Sequence, residues 1–385
     1  MFFLSHFHPP RPDLYPFCTV IHFCIMTVMQ APTGIGALWY QRMNSLKDYE
    51  VIRDGNVFGS GFANNFVFSS EYDNARRYLD HLISKYEGIP FSHVFPGTEI
   101  TNEGGTCFRL QNSADLPPLR FDSDLFREEI LHDLTLVRGI GEKTHRHLNN
   151  RGYRTIEDLC NHPKFKSAAS FVKEQLTAQD NVAIMDFIGS RHRRSHPLVL
   201  GTAGFHEPEE LVFIDIETLG LFSRPITLFG VGTIEQGRLN VFQYLLRDIE
   251  EEQAALIATM EHLAMDRSAL VTFNGKSFDL PYILDRLAYY GMTTRPRIAH
   301  YDMLHFSRQK WKGRFPSFRL AVLEKELLGV SRQDDIPGQM VPEFYEIYLR
   351  TENCGPLVPI VEHNLQDVIS LAKLFLLMLG DSFGC

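Results

Sequence analysis

Asp215 and Glu217 stand two residues apart in LVFIDIETLG, Asp279 closes NGKSFD, and Asp367 follows HNLQ. The apolar run before the first pair reads as a strand. Side chains alternate across a strand, so both carboxylates project from one face. Like charges crowded at the end of a buried strand repel unless a cation neutralises them. Asp279, opening a helix, and Asp367, within a late helix, would complete an oxygen-rich set suited to hard divalent ions. Such a set supports metal-assisted hydrolysis of a phosphodiester bond.

Taken singly, each residue has an ordinary explanation. Asp215 and Glu217 would serve as arginine partners or as solvated residues at a strand end. Asp279 reads as the N-cap of the helix LPYILDRL, and Asp367 as a polar helix position. His363 lies four residues before Asp367, on the same helix face, where a lone histidine is commonly a satisfied surface or core residue. Only together, in this order and on this pattern of strands and helices, do the four carboxylates carry the argument.

The elements that must position them follow from Glu210 onward. LVFIDI, ITLFGVGTI and LNVFQYLL predict three strands joined by short turns. A helix over 249–265, the strand ALVTFN, a helix over 280–290, the strand IAHYDM and a final helix over 357–379 come next. Adjacent strands followed by alternating helix and strand describe an α/β mixed sheet flanked by helices.

Upstream, residues 126–190 read as a small helical module around Gly139-Ile140-Gly141, which resembles a helix-hairpin-helix motif. Glycines let the backbone approach a phosphate, and the amides of the following helix point toward it. Gly139, Gly141, Lys143 and Arg146 are the candidate nucleic-acid contacts, with Arg151 beside them; a protein-binding helical hairpin is the alternative. Over residues 126–200, twelve Lys and Arg face nine Asp and Glu, whereas over 208–385 seventeen face twenty-four. Positive charge therefore lies beside the acidic region. RHRRSHP opens a solvated linker over 191–207. Residues 43–125 form a mixed region of unassigned role, with a helix over 72–86 and strand-like pieces such as GTCFRLQN.

The net charge of −9 argues against a generally basic, DNA-coating surface. Six scattered cysteines without a C-x-x-C pair exclude a zinc ribbon and fit a reducing cytoplasm. The apolar stretch at 16–30 is shorter than the roughly 20 residues of a membrane span. A translation start at Met26, Met29 or Met43, leaving residues 1–42 as a poorly ordered leader, is preferred to a signal peptide. No membrane association and no protein partner is identifiable.

DIET, N-G-K-x-F-D-x-P-Y and H-N-x-x-D-V-x-S-L together resemble the three motifs of the ribonuclease H-like, DEDD-type 3′–5′ exonuclease superfamily. IAHYDMLHFSR, LEKELLG and DDIPG are similar to the YprB-like ribonuclease H-like domain proteins, and the resemblance covers about residues 208–382. It implies two Mg²⁺ or Mn²⁺ ions held by Asp215, Glu217, Asp279 and Asp367, and cleavage of DNA or RNA from a single-stranded 3′ end. Superfamily members usually carry Tyr four residues, or His five residues, before the last Asp. Here His363 takes the Tyr spacing, a form the YprB-like group shares, and its imidazole chemistry suits a general base. Asn274 is a candidate substrate contact or turn residue. Phe278 and Tyr282 are base-stacking or core residues, and Asp302 is a helix cap or a support for the site. Arg308 to Phe315, where Trp311 interleaves with basic residues, is a strand-guiding patch or a solvated loop. The rival functions are a non-catalytic nucleic-acid-binding protein of the same fold and a two-metal endonuclease.

Overall fold

The computed structural model describes residues 66–117, 123–177, 180–220, 224–264, 268–292, 297–332 and 336–383, with side chains from Tyr72. The expected leader over 1–42 and the start of the 43–125 region lie outside them. Helix α1 (Phe66–Lys85) leads into strands β1 (Gly97–Asn102) and β2 (Gly105–Asp115). Four helices follow, α2 (Ser123–His132), α3 (Glu142–Asn150), α4 (Lys166–Thr177) and α5 (Asn181–Arg191). The remaining strands are β3 (Leu211–Thr218), β4 (Ile226–Glu235), β5 (Arg238–Leu245), β6 (Ala269–Thr272) and β7 (Ala299–Asp302). Among them lie α6 (Glu252–Glu261), α7 (Asp279–Tyr289) and α8 (Met303–Lys310), and the chain closes with α9 (Val341–Thr351) and α10 (Leu357–Phe383).

The seven strands form one sheet in the order β1-β2-β5-β4-β3-β6-β7. The pairs from β1 to β3 are antiparallel, and β6 and β7 add in parallel. Gln236 and Gly237 both adopt positive φ (51° and 78°) between the paired residues Glu235 and Arg238, as a two-residue hairpin turn requires. Parallel additions need crossovers, and α6 and α7 provide them. One strand pair was not foreseen as part of this sheet. Residues 97–115, expected in a region of unassigned role, supply β1 and β2, and β2 covers the edge of β5. An open edge at β5 would expose unpaired backbone groups. The partners lie more than a hundred residues apart, beyond what local periodicity can show.

Alternation divides β3 cleanly. Val212, Ile214 and Ile216 pack with α1, α6, α7 and α9 on one face. Leu211 and Phe213 pack with α10 and the helical module on the other, where Phe213 meets Phe375 edge-on at 5.7 Å. Asp215 and Glu217 continue this second series. Helix α10 can lie close here because β4 presents glycines: a Cβ at Gly232 would stand 2.8 Å from Val368.

The helical module shares that second core. Phe126, Ile140, Leu148 and Ile188 belong to the same buried cluster as Phe375. Thr202 Oγ1 and the Tyr301 hydroxyl are hydrogen-bonded at 2.9 Å. The segment expected as a solvated linker is fastened: His192 meets Asp133 at 2.8 Å, Ser195 donates to Gln309 at 2.6 Å, and Pro197–Gly201 forms a short helix. Its apolar half, Leu198 to Phe205, joins the core, which the charge run RHRR concealed. No helix among the described residues is long and apolar enough to cross a membrane.

Candidate active site

Strand β3 delivers Asp215 and Glu217 toward α10, and a register shift between Glu217 and Thr218 ends regular pairing just beyond them. Bulges of this kind re-aim side chains beside functional sites. On α10, His363 and Asp367 share a face, and Asn364 lies beside them. Asn364 Nδ2 donates to Asp215 Oδ2 at 2.9 Å and to its carbonyl at 3.1 Å. Its Oδ1 accepts from Gln243 Nε2 at 2.9 Å, and the same amide nitrogen donates to the Val361 carbonyl at 2.9 Å. Both Gln243 and Asn364 are fully buried. The relay locks the helix, and with it His363 and Asp367, in register with the strand that carries Asp215.

Asp279 arrives from the other side as the first residue of α7. It opens the helix without capping it, and a buried acid elsewhere fixes the turn before it. Asp302, 1% exposed, accepts from the backbone N–H groups of Asn274 (2.8 Å), Lys276 (3.1 Å) and Leu304 (3.2 Å). One carboxylate thus caps α8 and clamps the β6–α7 turn. Asn274 sits in that turn with φ 69°, 3% exposed, and its carbonyl accepts from Ser277 and Phe278. These bonds give Asn274 the turn-building role. Tyr282 is core, and its hydroxyl donates to the carbonyl of Gly220 (3.0 Å) or Arg224 (2.9 Å). Phe278 packs on it at 5.5 Å.

The four carboxylates and His363 do come together. His363 Nε2 lies 3.9 Å from Glu217 Oε1 and 3.7 Å from Asp367 Oδ2. Burial raises the Asp215 carboxyl well above its ordinary range, and the charges of Asp367, Glu217 and Asp279 raise it further, with His363 opposing. Burial likewise pushes Asp279 up to about 8. The Asp302 and Glu217 carboxylates add to that rise, while the N–H groups of Asp279 itself and Ile216 hold it back. Buried carboxylates crowded this closely favour the protonated form until positive charge reaches them. The donor chemistry, four carboxylate oxygens sets with partial solvent access, fits a hard divalent cation in kind.

Two features go beyond the expected constellation. Arg332 Nε donates to Glu324 Oε2 at 2.7 Å, and Nη2 is shared between Glu324 and Asp367. Its Nη1 faces His363 Nδ1 at 3.2 Å. An arginine has only donors, so Nδ1 accepts, and the proton of the neutral ring sits on Nε2, facing the carboxylates. In this arrangement the Nε2 proton of His363 faces Glu217 and Asp367, 3.9 and 3.7 Å away. In addition, no three His, Cys, Asp or Glu side chains among the described residues converge closely enough to ligate one ion as they stand. Arg332 was missed in the sequence because it lies in a loop without periodicity. Asn364 was visible within H-N-x-x-D but received no role.

The helix-hairpin-helix candidates lie on the helical module. Gly139 adopts φ 89°, Gly141 caps α3, and Ile140 is buried beneath the turn, leaving Lys143 and Arg146 on α3. From Arg308 to Phe315, Lys312 and Arg314 are exposed, with Arg314 over the Phe315 ring at 5.3 Å. Trp311 is 5% exposed in the core, and Lys310 reaches Ser382 (3.1 Å) and Asp381 (3.5 Å) at the end of α10.

Comparison with known proteins places this geometry. Residues 212–379 match the family model of the RNase_H superfamily. A Bacillus subtilis (strain 168) protein named uncharacterized protein YprB is 33% identical over 184 residues, which is 46% of this chain and 44% of that protein. The chain thus covers less than half the length of the curated relative it matches. Residues 212–379 form a ribonuclease H-like domain, and over 184 residues the chain is similar to YprB.

Proposed function

We propose that the protein is a metal-dependent nuclease that hydrolyses phosphodiester bonds of DNA or RNA, acting from single-stranded 3′ ends. The observation that carries this reading is the grouping of Asp215, Glu217, Asp279 and Asp367 from β3, α7 and α10, near enough for their charges to act on one another. The ribonuclease H-like domain supplies a fold in which nucleic acid is the expected substrate.

Asp215, Glu217, Asp279 and Asp367 would hold two Mg²⁺ or Mn²⁺ ions, which supply charge neutralisation at the scissile phosphate and a more acidic attacking water. The chain's own residues do the rest. Asn364 and Gln243 orient Asp215, and Asp302 fixes the turn that presents Asp279. His363 stands where a proton from water can be received once its Nδ1 is released from Arg332. Gly139, Gly141, Lys143 and Arg146 would hold the backbone of the strand without regard to sequence. The cytoplasm, with its reduced thiols and divalent ions, suits such an enzyme.

A second reading, a nucleic-acid-binding protein that does not hydrolyse, draws on the guanidinium of Arg332 seated on Asp367. Single-stranded DNA and RNA labelled at the 3′ or 5′ end, together with covalently closed circles, separate the possibilities when incubated with Mn²⁺, Mg²⁺ or EDTA. Stepwise loss from the 3′ end and intact circles are expected. Cleaved circles would favour an endonuclease, and strand binding without cleavage in any metal would favour the second reading.

A further inference from the structure

We propose that Arg332, anchored on Glu324, neutralises Asp367 and yields that carboxylate when a divalent ion binds. The inference rests on the metal-dependent reading above. Nε and Nη2 grip Glu324, whose side chain is 0% exposed; Nη2 also meets Asp367 and Nη1 meets His363, whose side chains are 17% and 16% exposed. Glu324 opens the single π-helical turn Glu324–Leu328, and Gly329 (φ 66°) ends it, so the anchor itself sits at a helix irregularity. Such turns are frequent at functional sites.

Stability gives no reason to keep this arrangement. A buried ion pair contributes little net stability, and apolar residues of similar volume commonly serve as well or better. The pair instead holds a permanent, planar positive charge beside one edge of the carboxylate cluster. Asp367 receives a donor that Glu324 also uses, whereas Glu324 has the fork of Nε and Nη2. Asp367 is therefore the partner that can be given up while the guanidinium stays anchored.

The test is a Mn²⁺ titration of the full chain followed by electron paramagnetic resonance, comparing wild type with Glu324→Gln/Arg332→Gln. The double substitution removes one charge of each sign, so net charge is unchanged and Glu324 is not stranded, while Asp367 loses its guanidinium partner. Mn²⁺ should bind the double variant about tenfold more tightly, because Asp367 no longer has to give up a guanidinium to take the ion. That gain should vanish when Asp367→Asn is added. Should the double variant fail to fold, Glu324→Leu/Arg332→Met carries the same test. Equal or weaker binding by the double variant overturns the inference and leaves the nuclease reading standing. A gain that persists without Asp367 also overturns it. No Mn²⁺ binding by wild type and variant alike removes both readings.

Discussion

Gly230 makes no chemical contact with substrate in this account, yet Gly230→Ala should damage the centre. Gly230 pairs with Asp215 across β3 and β4. A methyl group there would stand 2.7 Å from Asn364 Nδ2 and 2.8 Å from its Cγ, closer than real Cβ contacts allow. Either α10 moves away from the sheet or Asn364 turns out of its bonds with Asp215 and Gln243. Overpacking costs about 1–3 kcal/mol, and each buried hydrogen bond lost adds about 1 kcal/mol. The expected destabilisation is about 2–4 kcal/mol, a fall in Tm of roughly 5–15 °C for a domain of this size. Urea and thermal unfolding of Gly230→Ala, Asn364→Ala and the double variant read the effect directly. In the double variant the methyl fills space that the amide leaves, so its cost should fall short of the summed single costs by about 1 kcal/mol or more. A Gly230→Ala protein within about 0.5 kcal/mol of wild type, or strict additivity, would refute the packing argument.

Three further outcomes follow from the same geometry. Asp279 and Asp215 bind protons more tightly folded than unfolded, so their stabilising contribution is full below about pH 4 and is lost as pH rises through about 8 for Asp279. Metal-free wild type should therefore lose Tm relative to Asp279→Asn as pH rises across this window, and Mg²⁺ or Mn²⁺ should restore it; a constant difference between the two melting curves would count against the electrostatics. Asp302→Ala frees three backbone donors and should cost about 2–4 kcal/mol, while weakening Mn²⁺ binding although no proposed ligand is changed; unaltered Mn²⁺ affinity would show that the clamp does not position Asp279. Arg286→Met strands Glu252, which is 0% exposed and also accepts from Ile226 N (2.8 Å) and the Tyr290 hydroxyl (2.8 Å). It should cost about 3–5 kcal/mol, and Glu252→Gln/Arg286→Met clearly less; equal costs for the two would argue that packing, not the stranded charge, is responsible.

Much of this was legible in the sequence, and the reasons are specific. Alternation in LVFIDIET placed Asp215 and Glu217 on one face, and the i, i+4 spacing put His363 beside Asp367 on the face that meets them. Local periodicity also located β3 to β7, α7 and α10 within a few residues. Whatever depends on partners distant in sequence was not legible. Strands β1 and β2 join the sheet through β5, and no local pattern reports that pairing. Arg332 acts through geometry set by a loop, a π-turn and α10 together. Trp311 and the 198–205 segment were misjudged because nearby charges masked apolar residues that fold inward. Asp302 looked like one cap and is two, since its second oxygen serves a turn almost thirty residues upstream.

The central claim is that four carboxylates form one ion-dependent hydrolytic centre. Its most direct test measures Mn²⁺ binding and strand cleavage on the same preparations of wild type, Asp215→Asn, Glu217→Gln, Asp279→Asn and Asp367→Asn. The account predicts that every variant folds, binds Mn²⁺ more weakly and loses cleavage of single-stranded DNA or RNA by about a hundredfold or more, the scale of removing one electrostatic stabiliser. Variants that still cleave at the wild-type rate, or a wild type whose cleavage is indifferent to EDTA, would contradict it.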